Sequence, residues 1–121
     1  DYSLYHDLLS MVAKTTGIGA AIIKSRNKLG NVQVVMLSGK FVRHLPRKSP
    51  DEVDLLIVGN INLAELGTLV RAEEERRGQS INYTPMTEEE LKFRRTRRDP
   101  FLQEIMSQSR ILVVGSDEDL V

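Results

Sequence analysis

Cysteine is absent from the chain, so there is no disulfide framework and no thiolate metal site, and a reducing, cytoplasmic setting is the expectation. Charge of one sign is not in excess: 17 Lys and Arg balance 17 Asp and Glu, so attraction for nucleic acid would have to come from a local patch. No apolar run approaches the ~20 residues of a membrane helix, and no secretory signal opens the chain. Aromatic residues make up 5% of the chain and interleave little with basic ones, which argues against stacking on single strands. His6 and His44 stand isolated and point to no metal site or catalytic pair. What is present is a 40% apolar share in 121 residues, enough for one domain with a real core. The chain opens on Asp1 rather than methionine, so a piece of a longer protein is expected.

The stretch from Val32 to Gly59 organises the rest. Val32 to Leu37 reads as a strand that runs out through Ser38-Gly39-Lys40-Phe41. A polar hairpin connection, 43–51, contains Pro46 and Pro50. Glu52 to Gly59 reads as a second strand, opening on alternate carboxylates and continuing as an apolar run. Side chains two apart on a strand share a face, so Glu52 and Asp54 are expected to project together opposite the Gly39-Lys40 turn.

A helical segment over 1–29 precedes this pair, with Leu4, Leu8, Leu9 and Val12 at helical spacing, then a shorter helix carrying Ile22 and Ile23 inward. Beyond Gly59, Asn62 with Glu65 opens a helix whose apolar face is Leu63, Leu66 and Val70 and which ends at Gly78 in a solvated, charged run from Glu73 to Arg77. Ser80 to Met86 reads as a third strand. Thr87 with Glu90 caps another helix, Asp99-Pro100 restarts a further one, and Ile111 to Val114 closes as a short strand before an acidic tail. The class is α/β (α+β): a mixed sheet of about four strands over 30–121, with an antiparallel first pair and a third strand parallel to the second.

Small residues in a turn let backbone N–H groups approach phosphate oxygens. Carboxylates on the following strand can share magnesium with a substrate's phosphates, as nucleotidyl transfer requires. Without further context, strand-opening carboxylates more often only solvate a sheet end. The densest charge run is Lys92, Arg94, Arg95, Arg97 and Arg98. It is either a solvated helix face supported by i,i+4 pairs such as Glu90–Arg94, or a phosphate or nucleic-acid patch joined by Arg43, Arg47 and Lys48. Phe41, Phe93 and Phe101 read as core.

Leu37-Ser38-Gly39-Lys40-Phe41-Val42-Arg43, followed by Glu52-Val53-Asp54-Leu55-Leu56-Ile57-Val58-Gly59, resembles the signature of the minimal nucleotidyltransferases of the DNA polymerase beta superfamily. The pattern there is Gly-Ser, about ten residues, then Asp-x-Asp opening an apolar strand. Downstream, Ile81-Asn82-Tyr83-Thr84, Thr87-Glu88-Glu89-Glu90, Asp99-Pro100-Phe101-Leu102 and Ile111-Leu112-Val113-Val114-Gly115 are similar to one branch. In that branch the domain follows an ArsR-type winged helix, and Leu8 to Gly17 is similar to its linker helix. The resemblance covers nearly the whole chain through short motifs.

It implies a nucleotide-binding turn at Ser38, Gly39, Lys40 and Arg43, and catalytic and metal-holding carboxylates at Glu52 and Asp54. Asn82 falls where a third carboxylate belongs. The implied cofactors are Mg²⁺ and ATP or another NTP. The departures are specific: Lys40 replaces the family's serine, Glu52 its first aspartate and His44 a usual glycine, and Asn82 is a neutral, weak cation ligand. Asp51 occupies the first aspartate position if no hairpin residue is inserted.

Moving a carboxylate by ~1 Å in such a site costs roughly a hundredfold in rate. The expectation is therefore a nucleotidyltransferase-like domain with a degenerate metal site, acting as a nucleotide-binding, regulatory or interaction module. Its partners would be a nucleotide, an upstream DNA-binding domain, a toxin-like protein for which it acts as antitoxin, or a second copy in a homodimer. The alternative is an active Mg²⁺-dependent enzyme that moves NMP from an NTP to a protein or small molecule.

Overall fold

The computed structural model describes residues 2–121. Helices α1 (Tyr2–Thr15), α2 (Gly17–Lys24) and α3 (Arg26–Leu29) lead into β1 (Gly30–Ser38), followed by a single helical turn, α4 (Gly39–Val42). A loop over 43–54 returns the chain to β2 (Leu55–Ile61). Then come α5 (Leu63–Arg77), β3 (Tyr83–Met86), α6 (Glu88–Thr96), α7 (Pro100–Ser107), β4 (Arg110–Val114) and a short 3₁₀ turn at Asp117–Asp119.

The strands form one mixed sheet in the order β3-β2-β1-β4. β1 is antiparallel to both β2 and β4, and β3 lies parallel to β2 across the α5 crossover. This is the mixed α/β sheet that the sequence predicts.

Alternation along the central strands divides the core in two. Val35, Leu37, Leu55 and Ile57 face α2 and α5, where Ile22 and Leu66 are fully buried. Val34, Met36, Leu56 and Val58 face α6 and α7 through Leu91 and Leu102. Burying each such side chain contributes about 1.5–3 kcal/mol relative to exposure, so β1 and β2 anchor the molecule.

Helix boundaries follow local chemistry. Asn62 Oδ1 accepts from the N–H groups of Ala64 and Glu65, and Gly78 ends α5 in a left-handed conformation at φ +77°. Thr87 Oγ1 accepts from Glu90 N–H at 3.0 Å, and Asp99 caps α7 with Pro100 at its first position. Gly59, at φ +147°, ends the regular part of the β1–β2 ladder, and a Cβ there would meet Asn31 O at 2.0 Å.

Several expectations change. Ile23 is 40% exposed while its neighbour Ile22 is fully buried, and α2 stops at Lys24, after which the chain re-forms as α3. Leu63 and Phe93 point outward, and Leu4, Leu8 and Val12 lie on the exposed side of α1, which packs inward through Leu9 and Ala13. Glu73 is buried rather than solvated. The acidic tail turns Leu120 into the core against α6 and α7. Strand β3 begins at Tyr83, and 80–82 precede it as loop. No helix among the described residues is long and apolar enough to cross a membrane.

Candidate functional site

Four strand ends meet at one edge of the sheet. Leu37 pairs with Leu55, Leu55 with Tyr83, and Ser38 with Arg110. The chain leaving β1 and the segments entering β2, β3 and β4 therefore share that end, which gathers Ser38, Gly39, Lys40, Glu52, Asp54 and Asn82.

The turn after β1 is held on both sides. Ser38 N–H donates to Asp54 O at 2.9 Å, and Ser38 Oγ accepts from Phe41 N–H to cap α4. Gly39 N–H donates to Ser109 O at 2.8 Å. A Cβ at position 39 would stand 2.5 Å from Ser109 Oγ, so only glycine lets α4 start this close to β4.

Glu52 and Asp54 precede β2 rather than open it, because the N–H groups of Asp54 and Leu55 both donate to Asn82 O, at 2.9 and 3.1 Å. Two donors on one carbonyl are the bonding pattern of a bulge, and the two-residue alternation fails there. The expectation that these acids share a face rests on that alternation, and the structure corrects it. Glu52 lines a cavity of about 50 Å³ with Ser38, Val53 and Phe101. Asp54 lines a separate cleft of about 540 Å³ with Phe41, Arg47 and Arg77.

Each acid meets a cation of this chain. Lys40 Nζ lies 2.8 Å from Glu52 Oε1, and Glu52 Oε2 accepts from the N–H groups of Lys48 and Ser49. The Lys40 hydrogen bond lowers the Glu52 carboxyl below its usual range; partial burial opposes this and the two N–H donors add to it. Asp54, 4% exposed, takes Arg47 on Oδ2 at 2.5 Å and Asn82 N–H on the same oxygen at 2.9 Å. Arg47 also donates to Ser80 O and Ser80 Oγ, which straps the 43–54 loop across Asp54.

Asn82 is a structural tie: its side-chain amide donates to Pro50 O at 2.7 Å and Glu52 O at 3.0 Å. Asp51, which lines the small cavity with Glu52, is exposed. Among the described residues no group of three or more His, Asp or Glu side chains could hold a metal ion. Glu52 has both oxygens engaged, Asp54 is covered by a guanidinium, and the third position supplies an amide already used as donor. This donor set does not fit a two-magnesium centre.

The remaining candidates disperse. Arg43 sits over the Tyr5 ring of α1, 5.6 Å from its centroid. In the basic run, Arg94 pairs with Asp99 at 2.8 Å and Glu90 at 3.2 Å. The Asp99 hydrogen bond raises Arg94 above the usual arginine value. Arg95 donates to the carbonyls of Asp119 and Val121, and Arg97 stacks on Phe93. Lys92 is exposed, and Arg98 lines a cleft with Asp99 and Leu102. Arg94 and Arg95 therefore tie α6 to the segments that follow it, while Arg97 packs on α6 itself.

Two participants stand outside the sequence expectation: Arg77, and the pairing of Arg47 with Asp54. A buried carboxylate requires a partner, and the loop immediately before Asp54 is rich in cations. That signal was available for Arg47. Arg77 lies far along the chain and carries none.

No family model, curated protein or solved structure matches the chain. What the fold defines is a mixed four-strand α/β sheet with helices on both faces.

Proposed function

We propose that this chain is a non-catalytic nucleotidyltransferase-like module, the sensing or interaction half of a regulator, in which its own cations stand where that family's metal ions would be held. The observation that carries it is the Lys40–Glu52 pair at 2.8 Å beside the Arg47–Asp54 pair. A carboxylate that already holds an ammonium or guanidinium binds Mg²⁺ only by releasing it.

The exposed face of α1 supports the interaction role. Leu4, Tyr5, Leu8, Met11 and Val12 are 59%, 47%, 52%, 62% and 46% exposed on that one helix. At ~200 Å² for a large apolar side chain, this face offers roughly 500 Å² per copy, so an isologous pair would bury about the 1,000 Å² that a specific interface needs. We assign it to a second copy of this chain.

The second reading, Mg²⁺-dependent transfer of NMP from an NTP to a protein or small molecule, is favoured by the convergence of Ser38, Gly39, Lys40, Glu52 and Asp54 on one sheet end. Calorimetry with ATP in the presence and absence of Mg²⁺ separates the two. The non-catalytic module gives no magnesium-dependent heat. Magnesium-dependent ATP binding that disappears in Glu52→Gln overturns it in favour of the enzyme.

A further inference from the structure

We propose that the cleft between the 43–54 loop and the C-terminal end of α5 is a metal-independent site for an organic phosphate monoester. It uses none of Ser38, Gly39 or Lys40 and does not depend on the nucleotidyltransferase reading.

The cleft measures about 540 Å³, within the range of small-molecule sites. Its charge is unbalanced. Arg47 and Asp54, in direct contact, neutralise one another, while Lys48 and Arg77 remain, with no further carboxylate lining the space. Two positive charges lining one cleft match a dianionic head.

Arg77 is the distinctive residue. Its guanidinium lies 3.8 Å from the centroid of the Phe41 ring, and Nη2 donates to Phe41 O at 2.7 Å. It makes no ion pair among the described residues, although it is half-buried. A guanidinium carries five N–H donors in a rigid fork, so the contact with Phe41 fixes its plane and leaves most of the fork unspent. Burial lowers Arg77 below the usual arginine value, with the fields of Asp54 and Glu73 acting the other way. A planar, pre-positioned, partly desolvated cation with unused donors is suited to bidentate phosphate recognition.

Lys48 complements it. Its main-chain N–H is tied to Glu52, while its side chain is exposed at the mouth and free to close on an anion. Gln79 and Ser80 add polar groups on the α5 side, and Leu45, 43% exposed, adds an apolar surface with Pro46. A phosphate head with an organic body uses both halves of this lining, and inorganic phosphate uses only one.

The test is calorimetric titration in EDTA with AMP, inorganic phosphate and an oligonucleotide lacking terminal phosphates, on the parent chain, Lys48→Glu and Arg77→Gln. AMP is expected to bind without metal and more tightly than inorganic phosphate, and to weaken at least tenfold in each variant. Should Arg77→Gln unfold, the exposed Lys48→Glu decides alone. The proposal is overturned if AMP gives no binding in EDTA at millimolar concentration, or if its affinity is unchanged in Lys48→Glu. An oligonucleotide that binds as well as AMP also overturns it, because the contact would then be to a nucleic-acid backbone. Binding that requires Mg²⁺ and responds to Lys40→Ala would overturn this site and the non-catalytic reading together. Metal-free binding lost in Lys48→Glu upholds the site whichever way that reading falls.

Discussion

Arg47 and Asp54, seven residues apart, close a ring of chain around the entrance to β2. The guanidinium reaches Asp54 Oδ2 at 2.5 Å and continues to Ser80 O and Ser80 Oγ. Asp54 in turn accepts the Asn82 N–H, so one buried carboxylate fixes the 43–54 loop and the approach to β3. Asp54→Asn keeps the shape and removes the charge, leaving Arg47 half-paired against a buried amide. We expect a loss of about 1–3 kcal/mol, the usual cost of disrupting a buried charged hydrogen bond, read from urea unfolding. An unchanged midpoint would mean that the pair does not hold the loop.

Acid stability should carry the imprint of Lys40. The folded Glu52 carboxyl titrates below its ordinary value of 4.5, first because of the Lys40 hydrogen bond. A group depressed on folding stabilises fully above its unfolded pKa, and that contribution is lost as pH falls through the folded value. Burial raises the Asp99 carboxyl, but the hydrogen bonds from Arg94 and Leu102 together outweigh it, so Asp99 is lowered too and acts in the same direction. Lys40→Met should therefore flatten the fall in unfolding midpoint as pH drops below 4.5, without abolishing it, since the Lys48 and Ser49 donors remain. At neutral pH this partly exposed pair should be worth under about 1 kcal/mol. A parallel pH profile in parent and variant would exclude the coupling.

Much of this fold is legible in the chain because its signals are local. Asn62, Thr87, Asp99 and Gly78 each act within a few residues, and the structure uses them as caps or stops. The unbroken run Leu55 to Val58 marks a strand covered on both faces, and all four residues are 0% exposed. What sequence reasoning misplaced depends on distant partners. Glu73 reads as part of a solvated run, yet packs beside Gly17, where a Cβ would lie 3.4 Å from its Oε1. Strand alternation predicts that Glu52 and Asp54 share a face, and Asn82 interrupts that alternation by taking two N–H groups on one carbonyl. That carbonyl lies 28 residues beyond Asp54, outside any local pattern.

The corner between β1 and β4 should be intolerant of a methyl group. A Cβ on residue 39 would stand 2.5 Å from Ser109 Oγ and 3.2 Å from Ser109 O. Gly39→Ala is expected to cost about 1–3 kcal/mol through overpacking. Combining it with Ser109→Ala removes the nearest atom but not the carbonyl, so part of the loss should return. Strict additivity in that double-mutant cycle would show that the two residues do not meet.

Self-association through α1 should be breakable at its centre. Leu8, 52% exposed between Leu4 and Met11, becomes a buried anion against its symmetry mate in Leu8→Glu. Light scattering over a concentration series should show a dimer in the parent and a monomer in the variant, with Phe93→Glu on α6 as a control that leaves the dimer intact. A parent that stays monomeric at the highest concentration would remove the second copy as occupant of this face.

If chain cations have displaced metal, reversing the displacement should restore metal binding. Lys40→Ser removes the ammonium from Glu52, Glu52→Asp returns the shorter carboxylate, and Asn82→Asp supplies a third beside them. The Asn82 change also removes the amide donor to Pro50 O and Glu52 O, so the triple variant should unfold at lower urea than the parent. Among the described residues, Arg47 on Asp54 is then the only counter-cation left to three carboxylates, so they repel one another, and a divalent ion relieves that repulsion. Mg²⁺ should then raise the variant's thermal midpoint with an apparent dissociation constant on the order of 1 mM, while leaving the parent unmoved. Ca²⁺, which takes more oxygens at longer distances, should stabilise less if the reopened site has the small, six-coordinate geometry of a nucleotidyltransferase. A triple variant that folds yet ignores both ions would show that the sheet end never placed three ligands around one point, and the likeness in motif would then be one of sequence pattern alone.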